Sequence, residues 1–426
     1  MNEEVPEYGA AIAGRRILQR VLADYRGPAA VRLWNGEQVT GSDSASCVVV
    51  FKHPAPLRHL LLHQALTPLG EAYLAGDIVV EGDMEALFGL VEYLRTYKAR
   101  WPDRVRMLGQ ALRLPANGHA SVAGVARAGR AEHENSAEAI ARHYDVSNEF
   151  YRLWLDPEMV YSCAYFRDAG QSLAAAQEDK LDYICRKLQL SPGQSLLDIG
   201  CGWGGLAIWA ARRYGVQVHG ITLSRKQYDF AVERVRREGL EPQVLIELRD
   251  YRDLPGDASY DRVVSVGMFE HIGIANFPLY FATIQRVLKP GGLFLNHGIT
   301  NDTGWQRTAI THFINRYVFP DGELTRISEV CNAMEETGFA ILDVESLRRH
   351  YALTLRRWIE ALEGHRDDVV KQVSDATYLL WRLYMAGSAY YFEQGSMDVY
   401  QVLAAHRYQP LATPLRRDHL YPREMQ

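Results

Sequence analysis

Leu196-Leu197-Asp198-Ile199-Gly200-Cys201-Gly202-Trp203-Gly204-Gly205 is the stretch on which the fold turns. A short apolar run ends at Asp198, a glycine-rich turn follows, and GLAIWAARRY (205–214) then carries apolar residues at helical spacing. Glycines at such a turn let a ligand approach the main chain closely. Further along, VQVHGI (216–221), QVLIELRD (243–250), DRVVSVG (261–267) and GGLFLNHGI (291–299) read as strands, with helices such as RKQYDFAVERVRRE (225–238) between them. That alternation predicts an α/β domain on a predominantly parallel sheet with right-handed crossovers.

The pattern changes upstream. Residues 1–92 mix short β-like runs (31–36, 46–51 and 77–82) with helical stretches, a small α+β module. Asp83 is the expected N-cap of a helix whose apolar positions are Leu87, Leu90, Val91 and Leu94. Residues 93–132 are basic: eight Arg and Lys against one Asp between Arg95 and Arg130, a local charge of +7 in a chain of net charge −5. We read this stretch as a basic amphipathic helix, broken by Pro102, followed by a Gly/Ala-rich linker. The α/β domain then runs over 133–426.

With 426 residues, 47% hydrophobic and 23% charged, the chain can bury a large core, so wholesale disorder is excluded. Five cysteines at wide spacing (47, 163, 185, 201, 331), with no CxxC, argue against a disulfide framework or a structural zinc site and for a reducing cytoplasm. The acidic start MNEEVPEYGA lacks a signal-peptide pattern, and no apolar run is long enough to span a bilayer. The expected location is cytoplasmic, peripheral at the inner membrane surface.

Two details of the glycine loop favour S-adenosylmethionine over a dinucleotide. Asp198 would repel a pyrophosphate but can organise the ammonium of an amino acid. Lys289-Pro290-Gly291-Gly292, before the fifth strand of this domain, resembles the corresponding segment of class I methyltransferases. The resemblance then narrows. DIGCGWGG (198–205), GITLSRKQ (220–227), VGMFEHIG (266–273), HYDVSNEFY (143–151), YSCAYF (161–166) and HYALTLRRW (350–358) together resemble the cyclopropane-fatty-acyl-phospholipid synthase and mycolic acid cyclopropane synthase family, over about 135–407. Residues 1–92 are similar to the extra N-terminal domain of the phospholipid-acting members. The resemblance implies a Rossmann-like class I methyltransferase domain with a seven-stranded sheet.

It also implies a site. Asp198, Gly200, Gly202 and Gly204 would form the cofactor loop, and Thr222, Leu223 and Gln227 would line the ribose and methionine side. Tyr161 and Ser162 would contact the methionine portion, and Asp250 and Tyr251 would hold the adenine, with Tyr144 and Ser147 as further candidates. In the family a bicarbonate ion acts as base; its binding set matches Cys163, Glu270, His297, Ile299 (through its backbone) and Tyr351. Independently of the resemblance, Glu270 and His297 fall just past the fourth and fifth strands, the edge where open α/β sheets place their sites. The family's C-terminal cysteine is replaced by Ser388 in MAGSA (385–389).

The implied reaction is methyl transfer to an unsaturated acyl chain of a membrane phospholipid, followed by ring closure. Trp305, Phe313, Tyr317 and Phe319, and later Tyr384, Tyr390, Tyr391 and Phe392, are candidates for an acyl tunnel. The basic segment fits an anionic membrane surface. Nucleic acid is not an expected partner, and a homodimer stays open. Two alternatives remain: a relative giving a methylene-, methyl-branched or furan-precursor chain, and a non-catalytic lipid-binding protein on the same scaffold.

Overall fold

The computed structural model describes residues 4–40, 45–63, 67–115, 147–302, 323–411 and 413–421. Much of the predicted linker, Tyr144, and Trp305, Phe313, Tyr317 and Phe319 lie outside the described residues. The chain divides into two compact units.

The first unit holds the described residues up to 115 together with 373–390. Helix α1 (Glu4–Val21) leads to strands β1 (Ala29–Arg32), β2 (Gln38–Thr40) and β3 (Cys47–Phe51). Helices α2 (Ala55–His63) and α3 (Thr67–Leu74), strand β4 (Ile78–Gly82), and helices α4 (Ala86–Thr96) and α5 (Trp101–Ala111) follow. The sheet order is β2-β1-β3-β4, with β1 and β3 parallel. Asp83 is not the N-cap of α4: its Oδ1 accepts from the Glu85 N–H at 2.9 Å, and Glu85 is the cap. The sequence signal marks the turn before the helix, because a short acidic side chain reaches the amide two residues on. Pro102 lies in the first turn of α5 and starts that helix, since a missing N–H costs nothing there.

The second unit holds 147–302, 323–372 and 391–421 of the described residues. Its elements begin with α6 (Asn148–Arg152), α7 (Leu173–Lys187), β5 (Ser195–Ile199), α8 (Gly205–Tyr214), β6 (Gln217–Thr222), α9 (Arg225–Arg237), β7 (Val244–Leu248) and β8 (Tyr260–Val266). They continue with α10 (Phe277–Val287), β9 (Leu288–Asn301), α11 (Ile327–Glu336), β10 (Phe339–Ser346), α12 (Arg348–Gly364), α13 (Arg366–Gln372), α14 (Asp375–Gln394) and β11 (Met397–His406). Helix α14 begins among the residues of the first unit. The seven strands are ordered β10-β11-β9-β8-β5-β6-β7, and only β11 runs against the others.

Alternation along each strand explains the two-sided core. Leu196 and Val264 face one layer with Leu181, Ala207 and Ile208; Leu197 and Val263 face the other with Phe281, Ile284 and Phe339. Helices cover both faces, so the parallel strands read as continuous apolar runs rather than as alternating ones. Truncating Leu196 or Leu197 to Ala would cost about 2–5 kcal/mol.

Candidate active site

At the carboxyl edge of this sheet lies a cleft lined by Asp198, Gly200, Gly202, Thr222, Leu223, Gln227, Asp250, Tyr251, Tyr161 and Ser162. These are ten of the eleven residues expected at the cofactor. The eleventh, Gly204, stands behind the lining as the N-cap of α8. Gly200, Gly202 and Gly204 have φ of 80°, 55° and 83°, which only glycine adopts without strain. This lets the amides of Gly200 and Cys201 both donate to the Ile221 carbonyl at 2.9 Å, tying the loop to β6. No side chain caps α8, so its N-terminal amides meet the cleft at Gly205 and favour negative charge.

Asp198 is 2% exposed, and its Oδ2 has no hydrogen-bond partner. Burial pushes its carboxyl up to about 7, against the pull of Lys180. Lys180, which also lines the cleft, was missed by sequence reasoning. Its Nζ donates to Ser162 Oγ at 3.0 Å, and burial lowers it to about 8 in spite of Asp156 and Asp198. Thr222 Oγ1 donates to Gln227 Oε1 at 2.9 Å, presetting that amide. Burial opposes ionisation of Asp250, but Arg252, at 2.6 Å, outweighs it and holds the carboxyl below its usual range. Ser147 caps α6, accepting from the Phe150 N–H at 3.2 Å.

The second cluster adjoins the cleft through Gly267. A Cβ on Gly267 would lie 4.0 Å from Glu270 Oε1, and the Gly267 amide donates to the His297 carbonyl at 2.8 Å. Glu270 is buried, and its carboxyl is pushed up to about 7 by burial, against the hydrogen bond from the Ile299 N–H at 3.4 Å. Its Oε2 has no hydrogen-bond partner. Gly298 permits this placement, because a Cβ there would meet the Phe269 ring at 2.0 Å and Glu270 Oε2 at 2.7 Å.

His297 lies within β9 rather than past its end. It pairs with Val266, the last residue of β8, while β9 runs on to Asn301 because β11 continues the ladder. Gln401, opposite His297 on β11, donates from Nε2 to Nδ1 at 3.1 Å, which leaves the proton on Nε2. That Nε2 is buried without a partner, and burial holds the ring neutral.

Cys163 Sγ donates to the carbonyls of Ala164 (3.3 Å) and Leu347 (3.7 Å), and burial pushes the thiol up. Leu347 in turn accepts from the Tyr351 N–H and donates to the Val399 carbonyl, and Val399 is the register partner of Ile299. Cys163, Ile299 and Tyr351 thus converge on one short stretch of backbone. Aromatic rings connect this stretch to the glycine loop: Trp203 to Tyr151 (4.9 Å), Tyr151 to Tyr161 (5.8 Å), Tyr161 to Trp358 (5.2 Å) and Trp358 to Tyr351 (6.0 Å). Phe392 packs on Tyr351 at 4.7 Å. Of the other tunnel candidates, Tyr384 is buried and Tyr390 stacks on Phe88 within the first unit, where Ser388 is half-buried.

Strand order, glycine loop and cleft define a Rossmann-like class I methyltransferase of the S-adenosylmethionine-dependent type. The model of the mycolic acid cyclopropane synthetase family matches residues 131–402, and that of a domain of unknown function, DUF7884, matches 17–94. The chain therefore belongs to the mycolic acid cyclopropane synthetase family. A probable fatty acid methyltransferase of Pseudomonas putida is 42% identical over 89% of this chain and 92% of its own length. The cyclopropane-fatty-acyl-phospholipid synthase of Escherichia coli K12 is 41% identical over 61% of this chain and 66% of its own. Among solved structures, the mycolic acid cyclopropane synthase CmaA1 complexed with SAH and CTAB superposes with a TM-score of 0.60 at 33% identity, covering 64% of this chain and 99% of that one.

Proposed function

We propose that this chain transfers the methyl group of S-adenosylmethionine to a double bond in an unsaturated acyl chain of a membrane phospholipid, and that a bicarbonate-assisted proton loss then closes a cyclopropane ring. The observation that carries the reading is that Glu270 Oε2 and His297 Nε2 are each buried without a hydrogen-bond partner, on residues that both adjoin the cleft through Gly267. The residues suit both groups. Asp198 Oδ2 would take an ammonium, the α8 amides a carboxylate, and Tyr251 and Asp250 an adenine; His297, Tyr351, Glu270, Cys163 and the Ile299 backbone would hold a small oxyanion. When bound, S-adenosylmethionine supplies an electrophilic methyl and bicarbonate a compact base.

The alkene electrons form the new bond to the methyl carbon as the sulfur–carbon bond breaks, leaving S-adenosylhomocysteine and a cation on the chain. Loss of one proton from the new methyl lets the C–H electrons close the ring. Tyr161, which lines the cleft, and Trp358 and Tyr351, which pack in sequence behind it, would offer ring faces to such a cation, each worth about 0.5–2 kcal/mol. Burial keeps out water that would trap the cation. A bicarbonate held here would take the proton lost from the methyl as ionised Glu270 takes the proton of its hydroxyl; His297 would donate to it from Nε2, and Cys163 would stay a thiol. The second unit carries this chemistry. The protein works peripherally on an anionic membrane face; among the described residues no helix is long and apolar enough to cross a membrane.

A second reading compatible with the similarity to a probable fatty acid methyltransferase is that the same cation loses its proton without ring closure and leaves a methylene branch or a methyl-branched alkene. The test of the common core is transfer of labelled methyl from S-adenosylmethionine to unsaturated but not saturated phosphatidylglycerol vesicles, in carbonate-free buffer and with bicarbonate restored. Transfer to unsaturated lipid that rises with bicarbonate is expected; equal labelling of saturated lipid would overturn the reading.

A further inference from the structure

Helix α5 has two apolar faces, and only one is used by the fold. Met107, Ala111 and Leu114 are buried, and the unit closes over that side with α1 and α2. Arg58 reaches from α2 to the carbonyls at the helix end, Ala111 and Leu112 at 3.4 Å. Trp101, Val105, Leu108 and Leu112 point elsewhere and are 75%, 49%, 36% and 66% exposed. Their spacing places all four within about 60° of one another around the helix, roughly 120° from the buried side. Solvated helix faces carry charge; four large apolar side chains in line at the surface mark a face that meets something apolar.

The charges beside the stripe say what that is. Exposed Arg104 borders one edge, and exposed Arg106 and Arg113 lie beyond the other. From residue 95 to 113 there are six Arg and Lys and one acid, Asp103, whose carboxylate is engaged by Arg20 (3.8 Å) and Arg106 (3.5 Å). An apolar strip between cations, with an indole at one end, is the composition of a helix lying in a lipid interface. A protein partner would have to offer an apolar groove rimmed with acids; a leaflet containing anionic lipids offers acyl chains beneath phosphates along the whole strip.

We propose that α5 docks the protein on anionic bilayers: Trp101, Val105, Leu108 and Leu112 enter the head-group region while the flanking arginines hold lipid phosphates. The inference rests on the lipid-substrate reading only in supposing that the enzyme visits a bilayer. It is tested with the full chain by flotation with phosphatidylglycerol–phosphatidylcholine vesicles and with pure phosphatidylcholine. The wild type should float with the anionic vesicles only, and less at high salt. Val105→Glu with Leu108→Glu, both on the exposed face, should weaken binding roughly tenfold or more, as should Arg104→Gln with Arg106→Gln and Arg113→Gln. The emission lost in Trp101→Phe should be a component that shifts to the blue on adding anionic vesicles. Binding of S-adenosylhomocysteine by calorimetry should be unchanged in each variant. Unaltered flotation of the Glu variant, equal binding to neutral vesicles, or self-association in place of flotation would overturn docking by α5. A chain that floats as expected but methylates no lipid would overturn the catalytic reading and leave this one standing.

Discussion

At the scale of single residues, the site is a set of ionisable groups held away from their ordinary values by burial. Glu270→Gln keeps the shape of the pocket but cannot accept a proton. Turnover should fall by about 10²–10⁴, while S-adenosylhomocysteine affinity stays within a few-fold. The sign of the pH response follows from Glu270 at about 7. The ionised form is the working one, so kcat should rise as pH increases through that value. The contribution of Glu270 to stability should move the other way. Asp156, Asp198 and Glu270 are raised to about 6, 7 and 7, so between the ordinary carboxyl range and these values they bind more protons in the folded chain than in the unfolded one, while His271 and His297, held neutral by burial, bind fewer. In cofactor-free protein the stability of the wild type relative to Glu270→Gln should therefore fall as pH rises through that window; a Tm difference between the two that does not change from pH 5 to pH 7.5 would contradict the assignment. Glu270, His297 and Asp198, all three buried, were singled out in the sequence by the family resemblance and by their nearness to the ends of apolar runs. Lys180 was not: in AQEDKLDY it reads as one more charge on a solvated helix face, and only the fold buries it beside Asp198. Gln401 was hidden for a similar reason, since its role depends on β11 pairing with β9 in a register that local sequence does not encode.

At the scale of elements, turns do the positioning. Gly298→Ala should push Phe269 and Glu270 away from β9, costing about 1–3 kcal/mol of stability and most of the activity, as read by thermal melts and turnover together. Gly202→Ala makes a useful contrast. Its φ is 55° and its Cβ would meet nothing within 4 Å, so only backbone strain of about 1–2 kcal/mol is expected, with cofactor affinity the property that suffers. The strands of the parallel core were readable from apolar runs bounded by Gly, Pro and Asp. Their ends were less so. His297 sits inside β9 because an antiparallel neighbour prolongs that strand, and Asp83 precedes its helix by a turn because Glu85 takes the cap. Pro102, read as a break, begins α5, a reminder that the same missing amide ends one helix and starts another.

At the scale of the whole molecule, one chain combines a catalytic unit with a smaller α+β unit that carries a basic, partly apolar surface helix. The run of positive charge was visible in composition alone, whereas the change of pattern expected near residue 93 falls inside α4, and the basic helix belongs to the first unit. Which face of α5 is left over was not visible, because that depends on where α1 and α2 pack. The full chain should prefer lipid in anionic bilayers over the same lipid in neutral micelles, and the Val105→Glu, Leu108→Glu variant should lose that preference through KM rather than kcat. The most direct test of the central claim is the product itself. Purified protein, S-adenosylmethionine and an unsaturated phospholipid should yield an acyl chain heavier by one CH2, and that product should survive ozone because its alkene has become a ring. An ozone-labile product of the same mass would establish methylene formation in place of ring closure. No gain in mass on any unsaturated phospholipid, with S-adenosylhomocysteine binding intact, would contradict the account altogether.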